Sequence, residues 1–581
     1  MQTAPSGVDI RYEPTDQPPV PLSAGLGIQM AVLTLGGIVL TPAIIIRSAG
    51  GTPEFLAWAV AAALVVSGIS TILQALGKFR IGAGYVLLMG TSGAFIAICI
   101  EALRSGGPAL MCTLIVMAAL FQLLFAAHLS KFRRILTPAV SGTVIMLIAV
   151  TVMPILFDML NDVPETAPAS AAPVTALITV VTIAAIALRG TGLLRLWAPI
   201  IGVAFGTVAS LFYNIYDTQV LADASWLGFP TTGWPGLSFS LDTTFWTLLP
   251  AFIFVTMIGA IETIGDSIAV QRVSWRRPRA VDFRAVQGAL SADGVGNLLS
   301  GLAGTIPNTT YSSSISMIEL TGVAARRVGI ALGITFLVVA FQPKILAVFL
   351  AIPGPVVAGF VIVLIAMLFV VGMRIVVQDG IDYRTSLIVG FAFWIGAGLQ
   401  QGVIFPEVIG GFAGGILDSG MVGGGLVAIL LTTLVAITKG RRHHLQTPFA
   451  LTALGEIQEF IEKTATRYKW RPNDILRAQA AAEEALLILS AEQSRVDERE
   501  LKYLDLIIAQ EEDGLSLEFV ASDTQENIED KIALLGRELS ESSLEKDISL
   551  RMLRHLTSSV RHERYHNTEI VLLKVAQTVP A

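Results

Sequence analysis

Glu262 and Asp266 stand four residues apart in an otherwise apolar run, AFIFVTMIGAIETIGDSIAV, so one helix turn puts both carboxylates on one face. An acid in such a run costs on the order of 3 kcal/mol or more if it meets lipid, so it has to face a cavity or a partner. Burial makes its protonation depend on its neighbours and on whatever binds beside it. Glu262 is therefore the candidate for substrate or proton work, and Asp266 for the same work or for bracing a helix end. A third acid, Asp293, lies in the glycine-rich run SADGVGNLLSGLAG and is expected to give structural support, bonded to Asp266 or to a hydroxyl-rich stretch. That stretch is Thr305 to Gly322, TIPNTTYSSSISMIELTG. Pro307 removes a donor there, and Asn308, Thr309, Thr310, Tyr311, Ser312, Ser313 and Ser314 supply amide and hydroxyl groups.

Polar, non-helical backbone at membrane depth is tolerated only where protein buries it or a cavity solvates it. An extended entry followed by a half-helix would aim free N–H groups into such a cavity, an arrangement suited to a carbonyl or an anion. Gly90, Thr91, Ser92, Gly93 and Ala94 form the matching element earlier in the chain. Gln29, in the first apolar run, either contacts a substrate amide or bonds a neighbouring helix. His128 beside Lys131 reads as interfacial, and the other five histidines lie beyond residue 442, so no buried histidine is available as a proton relay. Cys99 and Cys112 sit in apolar runs without ligand spacing; no disulfide, metal site or cofactor is expected.

These residues need a membrane around them, and the composition supplies one. The chain has 581 residues, 53% hydrophobic and 14% charged, with mean hydropathy +0.69, which excludes an ordinary soluble enzyme and indicates a polytopic membrane protein. Residues 1–442 carry 23 Lys+Arg against 20 Asp+Glu, whereas 443–581 carry 16 against 25, so a slightly basic membrane part precedes an acidic tail. The lead, 1–21, is polar and proline-rich. It is expected to be extended and mobile, with no cleaved signal peptide and a retained first span.

Fourteen apolar runs follow, the first at 22–46 and the last at 422–439, most of them near the roughly 20 residues that cross a bilayer. With loops assigned alternately, the basic residues collect on one side and leave only Arg47, Arg104 and Lys344 on the other, which places both termini in the cytoplasm. Seven runs lie in 22–213 and seven in 244–439, an inverted repeat by position. The third of each set, 85–103 and 308–322, is short and opens with small polar residues, which points to a transport site between them. The expected domains are thus a lead at 1–21, a transmembrane domain at 22–442 and a cytoplasmic α+β domain at 443–581. In the tail, helices are expected in LGEIQEFIEKTATRYKWRP, in ILRAQAAAEEALLILSAEQ and around 544–559, and strands in YLDLIIAQ, LSLEFVAS and EIVLLKVAQ.

The runs GLGIQMAVLTLGGIVLTP, MGTSGAFI, LTPAVSGTVIMLI, IETIGD, ADGVGNLLSGLAGTIPNTTYS and IELTGVAARRVG together resemble the nucleobase/ascorbate transporter family, the uracil and xanthine permeases, over residues 22 to about 439. The resemblance implies a fourteen-segment inverted repeat with a core domain from segments 1–4 and 8–11 and a gate domain from 5–7 and 12–14. It also implies a ligand held between segments 3, 8 and 10, uptake coupled to protons, and a homodimer through the gate. On the family's pattern Glu262 falls on the base-binding glutamate, Asp266 on the aspartate one turn later and Asp293 on the ninth segment's aspartate.

This chain has Gln29-Met30 where Gln-His is common, Ser313-Ser314 where an amide or acid precedes Asn, Ser316 for a glycine, and Gly93 where an aromatic often stacks on the base. Losing a specific polar partner changes discrimination by powers of ten, so purine, xanthine, uracil and related heterocycles stay open as substrates. The tail resembles a histidine-kinase-type ATPase fold of the anti-sigma-factor kinase sort. Ile488, Asp523-Thr524-Gln525 and Asp547-Ile548-Ser549 stand where its nucleotide motifs would be, so a regulatory or oligomerising role is expected rather than ATP hydrolysis.

The expected activity is therefore proton-coupled secondary transport of a nucleobase-like substrate by alternating access in a bacterial-type inner membrane, without enzymatic chemistry or nucleic-acid binding. A ligand sensor signalling through the tail and an anion transporter of similar fold are the alternatives. The expected substrate-binding set is Glu262, Ser312, Ser313, Ser314, Thr91, Ser92, Gly93, Ala94 and Gln29. Asp266, Asp293 and Asn308 are expected to serve proton coupling or support.

Overall fold

The structure is a computed structural model that describes residues 10–129, 137–277, 279–377, 380, 382–405, 420–438, 442–493, 503–511, 514–521, 544–566 and 569–577. It divides into two compact units, the described residues within Met1–Arg276 and Ala285–Leu434, and those within Arg277–Arg284 and Val435–Ala581.

The first unit opens with α1 (Val20–Ser48) and α2 (Pro53–Leu76), then a short strand β1 (Leu88–Thr91), a single 3-10 turn at Gly93–Phe95, and the long helix α3 (Ile96–Ala127). There follow α4 (Pro138–Met159), α5 (Ala171–Arg189), α6 (Leu193–Phe212), a short α7 (Thr218–Asp223), α8 (Thr243–Val273) and α9 (Phe283–Ala303). A second short strand, β2 (Asn308–Tyr311), leads into α10 (Ser313–Thr321), α11 (Arg326–Ala340), α12 (Pro343–Leu350), α13 (Gly354–Val377), α14 (Tyr383–Gln400) and α15 (Gly420–Thr438). Among the described residues eight of these helices are long and apolar enough to cross a membrane, or nine if α11 and α12, bent by 85° at their junction, make one span. The chain is an integral, helical polytopic membrane protein. The run expected at 85–103 passes through β1 into α3, which continues to Ala127 and breaks where Gly107 takes φ 76° just before Pro108.

The helices pack as two sets. α11 lies against α1 and α2, and α3 against α8, while α13 packs on α4, α5 and α6, and α14 on α4. Each set has a close backbone approach that only glycine allows. A methyl group on Gly68 of α2 would come 2.7 Å from the Gly333 carbonyl of α11, and one on Gly142 of α4 would come 2.5 Å from the Gly372 carbonyl of α13. Small residues at helix contacts are how apolar helices gain packing in lipid, where burial from water offers no drive.

The three cations set apart by the loop charges each meet carbonyls at the end of a helix. Arg104 Nη2 donates to Ser48 O at 2.6 Å at the end of α1, and Arg47 Nη2 to Leu350 O at 2.5 Å at the end of α12. Lys344 Nζ donates to Ala222 O and Ala224 O at 3.3 and 3.2 Å at the end of α7. The free carbonyls there and the negative end of the helix dipole favour a cation.

The lead corrects one expectation. From Ile10 to Pro18 it is held rather than mobile, because Arg276 and Arg327 gather its carbonyls and side chains. Arg276 Nε donates to Ile10 O at 2.9 Å, and Arg327 Nη2 to Gln17 Oε1 at 2.7 Å. Ile10, only 4% exposed, joins the core.

The second unit is built on a five-stranded antiparallel sheet in the order β3-β4-β5-β7-β6. Its elements are β3 (His443–Pro448), α16 (Leu454–Arg467), α17 (Pro472–Gln493), β4 (Tyr503–Glu511), β5 (Gly514–Ala521), α18 (Leu544–Leu556), β6 (Ser559–Arg564) and β7 (Glu569–Ala576). Alternate residues Leu504, Leu506, Leu517, Phe519, Val571 and Leu573 bury one sheet face with Ile457, Ile461, Ala482 and Leu486 of the helices. β3 and β6, read HHLQTP and SVRHER, went unforeseen: they are the polar edge strands, paired to β4 and β7 through backbone with no apolar alternation to betray them. Asp547-Ile548-Ser549 lies within α18, whereas Asp523-Thr524-Gln525 falls outside the described residues.

Candidate substrate site

The two interrupted stretches meet. β1 and β2 pair antiparallel with Leu88 opposite Tyr311, Met89 opposite Thr310, Gly90 opposite Thr309 and Thr91 opposite Asn308. Each short strand pairs one edge of the other, and side chains take up outward N–H groups, Thr71 that of Met89 at 3.0 Å, as polar backbone at this depth requires. Beyond each strand a helix begins almost at once, at Gly93 and at Ser313. Free N–H groups of a first turn lie at both points.

Gly90 is required by this geometry. A methyl group there would come 2.6 Å from Cζ of Tyr311, whose hydroxyl donates to Thr91 O at 2.8 Å. The Thr91 hydroxyl in turn donates to Gly37 O and Ile38 O of α1 at 3.2 and 3.3 Å, and Ser92 N–H to Pro307 O at 2.8 Å. Ser314 is likewise spent on the scaffold. Its hydroxyl accepts from Leu88 N–H and donates to Tyr311 O, both at 2.9 Å, and the residue is fully buried.

α8 lays its acids along this pair of strands. Glu262 is half-buried, lies against Thr309, and has Asp266 and Asp293 within electrostatic reach. Asp266 accepts the Thr310 hydroxyl at 2.8 Å and the Ser312 hydroxyl at 2.7 Å, so it ties α8 to β2 and to the start of α10. Ser312 is exposed, and so is Gly93, where a side chain would meet nothing within 4 Å.

Asp293 bonds neither Asp266 nor the hydroxyl stretch, contrary to expectation. It accepts from Thr263 at 2.9 Å and from Gln122 Nε2 at 2.8 Å. Gln122 Oε1 then accepts from Asn297 Nδ2 at 2.8 Å, and Asn297 Oδ1 from the Asn308 N–H at 2.6 Å. Aspartate, two amides and a strand entry form one buried network joining α3, α8, α9 and β2. Buried polar groups on three helices can all be satisfied only if each is placed by the others. Gln122 and Asn297 escaped the sequence reading, although each left a trace: Gln122 is a lone amide in MAALFQLLFAA, and Asn297 follows Asp293 by one helical turn.

Gln29, half-buried on α1, makes no hydrogen bond among the described residues. It lies about 12 Å along the helix axis from Gly37, where α1 meets the strands. Ala94 is 8% exposed beside Gly93. Ser313, partly buried, has a hydroxyl without a partner among the described residues. No cluster of His, Cys, Asp and Glu that could hold a metal occurs among the described residues.

The family model of xanthine/uracil permeases (Xan_ur_permease, described as Permease family) matches residues 23–405, a span that holds α8, both short strands of the first unit, Glu262, Asp266 and Asp293. The chain belongs to the xanthine/uracil permease family. It is similar to the putative purine permease CPE0397 of Clostridium perfringens, 28% identical over 436 residues that cover 74% of this chain and 93% of that protein. It is also similar to the xanthine permease XanP of Escherichia coli K12, 27% identical with 73% and 94% covered. A further relative is the nucleobase transporter PlUacP of Paenibacillus larvae, 28% identical with 72% and 95% covered. These relatives are permeases and transporters, not enzymes. Among solved structures the chain is similar to the transmembrane domain of a cyanobacterium bicarbonate transporter BicA, at 16% identity and TM-score 0.46, covering 73% of this chain and 100% of that one.

Within this permease the site offers one carboxylate held against a strand and two helix starts. Glu262 can accept N–H groups, and the N–H groups at Gly93 and Ser313 can donate to carbonyl oxygens. Asp266, with both oxygens engaged by hydroxyls, is suited to keeping the second helix start in place.

Proposed function

We propose that this permease is a secondary active transporter of a nucleobase, with a purine such as xanthine as the leading substrate and uracil-like rings as the alternative within the class. The placement of Glu262 against Thr309 of the β1–β2 pair, with a helix starting just beyond each strand, carries the reading. A nucleobase edge alternates ring N–H and carbonyl groups, and a carboxylate beside backbone N–H donors complements that alternation. The names of the relatives, a purine permease, a xanthine permease and a nucleobase transporter, support the same class.

On this reading Glu262, Ser312, Ser313 and the backbone of Thr91 to Ala94 bind the base, and Gln29 lines the approach. Asp266, Asp293 and Asn308 hold the constellation in place. Uptake is coupled to protons, with Glu262 as the group that binds proton and base together. Alternating access follows from movement of one helix set, α1 to α3 with α8 to α12, against the other, α4 to α6 with α13 to α15. The two sets correspond to a core and a gate in a fourteen-segment inverted repeat spanning 22–213 and 244–439. The protein resides in a bacterial-type inner membrane as a homodimer through the gate, both termini in the cytoplasm, and 443–581 acts as a soluble regulatory domain.

Uptake of radiolabelled xanthine, uracil and adenine into proteoliposomes, with and without an inward proton gradient, tests the proposal. Gradient-driven accumulation that is lost in Glu262→Gln is expected. Saturable binding without flux, or uptake of inorganic anions indifferent to Glu262→Gln, overturns it.

A further inference from the structure

The lead of the chain builds a second candidate binding site, lined by none of the residues assigned above to substrate. Its backbone is fixed where it passes the start of α1. The Arg11 and Tyr12 N–H groups donate to Gly322 O at 2.8 and 3.1 Å, and Ala324 N–H donates to Tyr12 O at 2.8 Å. Arg276 Nη2 holds Arg11 O at 2.5 Å. The two acids of this strap, Glu13 and Asp16, are turned to Arg276 at 4.0 and 3.1 Å. Arg11 is left exposed, and its guanidinium has no partner among the described residues.

Beside it opens a cavity of about 570 Å³ whose polar members are Arg11, Tyr12 and Thr321 and whose remaining wall is aliphatic: Leu22, Leu26, Leu320 and Val323. Leu22 and Leu26 are one turn apart on α1, so they form a stripe running from the beginning of the helix toward its middle. Leu22 and Leu320 remain 38% and 42% exposed. In a membrane-spanning helix this stripe starts at the boundary of the hydrocarbon, where a tyrosine and a cation meet the headgroup layer.

We propose that this groove binds an anionic glycerophospholipid, with its phosphate on Arg11 and an acyl chain along Leu22 and Leu26. A planar guanidinium matches a phosphate through paired N–H donors, and basic residues at the membrane boundary select anionic headgroups. The aliphatic wall gives a soluble anion nothing, and the fixed cation gives a neutral chain nothing; a lipid uses both. The strap then does more than brace the bundle. It presents a cation beside two acids, Glu13 and Asp16, that are turned to Arg276 instead.

The test uses the full chain in nanodiscs and reads thermal unfolding rather than uptake, so its outcome is independent of the transport reading. Phosphatidylglycerol added to phosphatidylcholine discs is expected to raise the unfolding midpoint by several degrees. Arg11→Gln should lose most of that rise while matching the wild type in pure phosphatidylcholine, and Arg11→Lys should retain part of it. Arg104→Gln, near the other end of α1, should keep the full rise. Leu26→Ser should reduce the rise without abolishing it. An equal rise in wild type and Arg11→Gln, or an equal loss in Arg104→Gln, would overturn the proposal in favour of general surface charge. The same rise from inorganic phosphate in phosphatidylcholine discs would overturn the lipid and leave a simple anion site.

Discussion

Thr310 donates its hydroxyl to Asp266 at 2.8 Å across 44 residues of sequence, while Met89, its partner on the facing strand, carries no such group. The acid therefore secures β2 rather than β1, and through Ser312 it secures the start of α10 as well. Asp266→Asn keeps the size but turns one acceptor into a donor facing a hydroxyl. Hydrogen bonds to a charged group are worth about 1.5–3 kcal/mol, so substrate KM should rise roughly tenfold or more. Uptake kinetics beside a thermal-unfolding curve would separate this effect from simple loss of folded protein.

Glu262→Gln is the complementary change. Glu262 lies against Thr309 and stays half-buried, so the amide should leave folding nearly unchanged while presenting an N–H₂ group to the ligand's own N–H. Base binding, measured by calorimetry or ligand-induced thermal shift, should fall at least 100-fold. Unimpaired binding would remove Glu262 from the site.

Gln122→Leu should weaken the structure from a distance. It strips Asp293 Oδ2 of one donor and leaves Asn297 Nδ2 with only a long 3.4 Å contact to Asp293. Buried groups without partners cost about 1–3 kcal/mol each, so a lowered unfolding midpoint is expected together with a weaker substrate affinity, since Asn297 holds the entry to β2. A normal midpoint would show that the network is not a support.

Gly90 and Gly93 are three residues apart and should respond oppositely. Gly90→Ala drives a methyl group into Tyr311, an overpacking expected to cost about 1–3 kcal/mol and visible as a lower midpoint. Gly93→Ala should be neutral, because nothing lies within 4 Å of the added carbon. Gly93→Phe would put a ring into that open space, and competition assays with a panel of bases should show narrowed selectivity.

Much of the architecture was legible because its signals are local. Long apolar runs announce membrane helices, and a spacing of four puts Glu262 and Asp266 on one face whatever surrounds them. The small polar residues at 85–103 and 308–322 mark breaks because they cluster at the start of short runs, leaving too few apolar residues to cross a bilayer as one helix. In the tail, alternation in YLDLIIAQ and EIVLLKVAQ exposes inner strands, whereas HHLQTP and SVRHER belong to edges that need no apolar face.

What the sequence by itself determined is the class of protein, its acid pair and the two interruptions, since hydropathy and helical spacing act within a few turns. Only the tertiary structure decided that Gly90 faces Thr309, that Ser314 is spent on Leu88 while Ser312 goes to Asp266, that Gln122 and Asn297 support Asp293, and that the lead is a strap rather than a loose end. Each of those is a hydrogen bond or strand register between distant segments. A hydroxyl or an amide carries no local mark of which distant partner will satisfy it once water is gone.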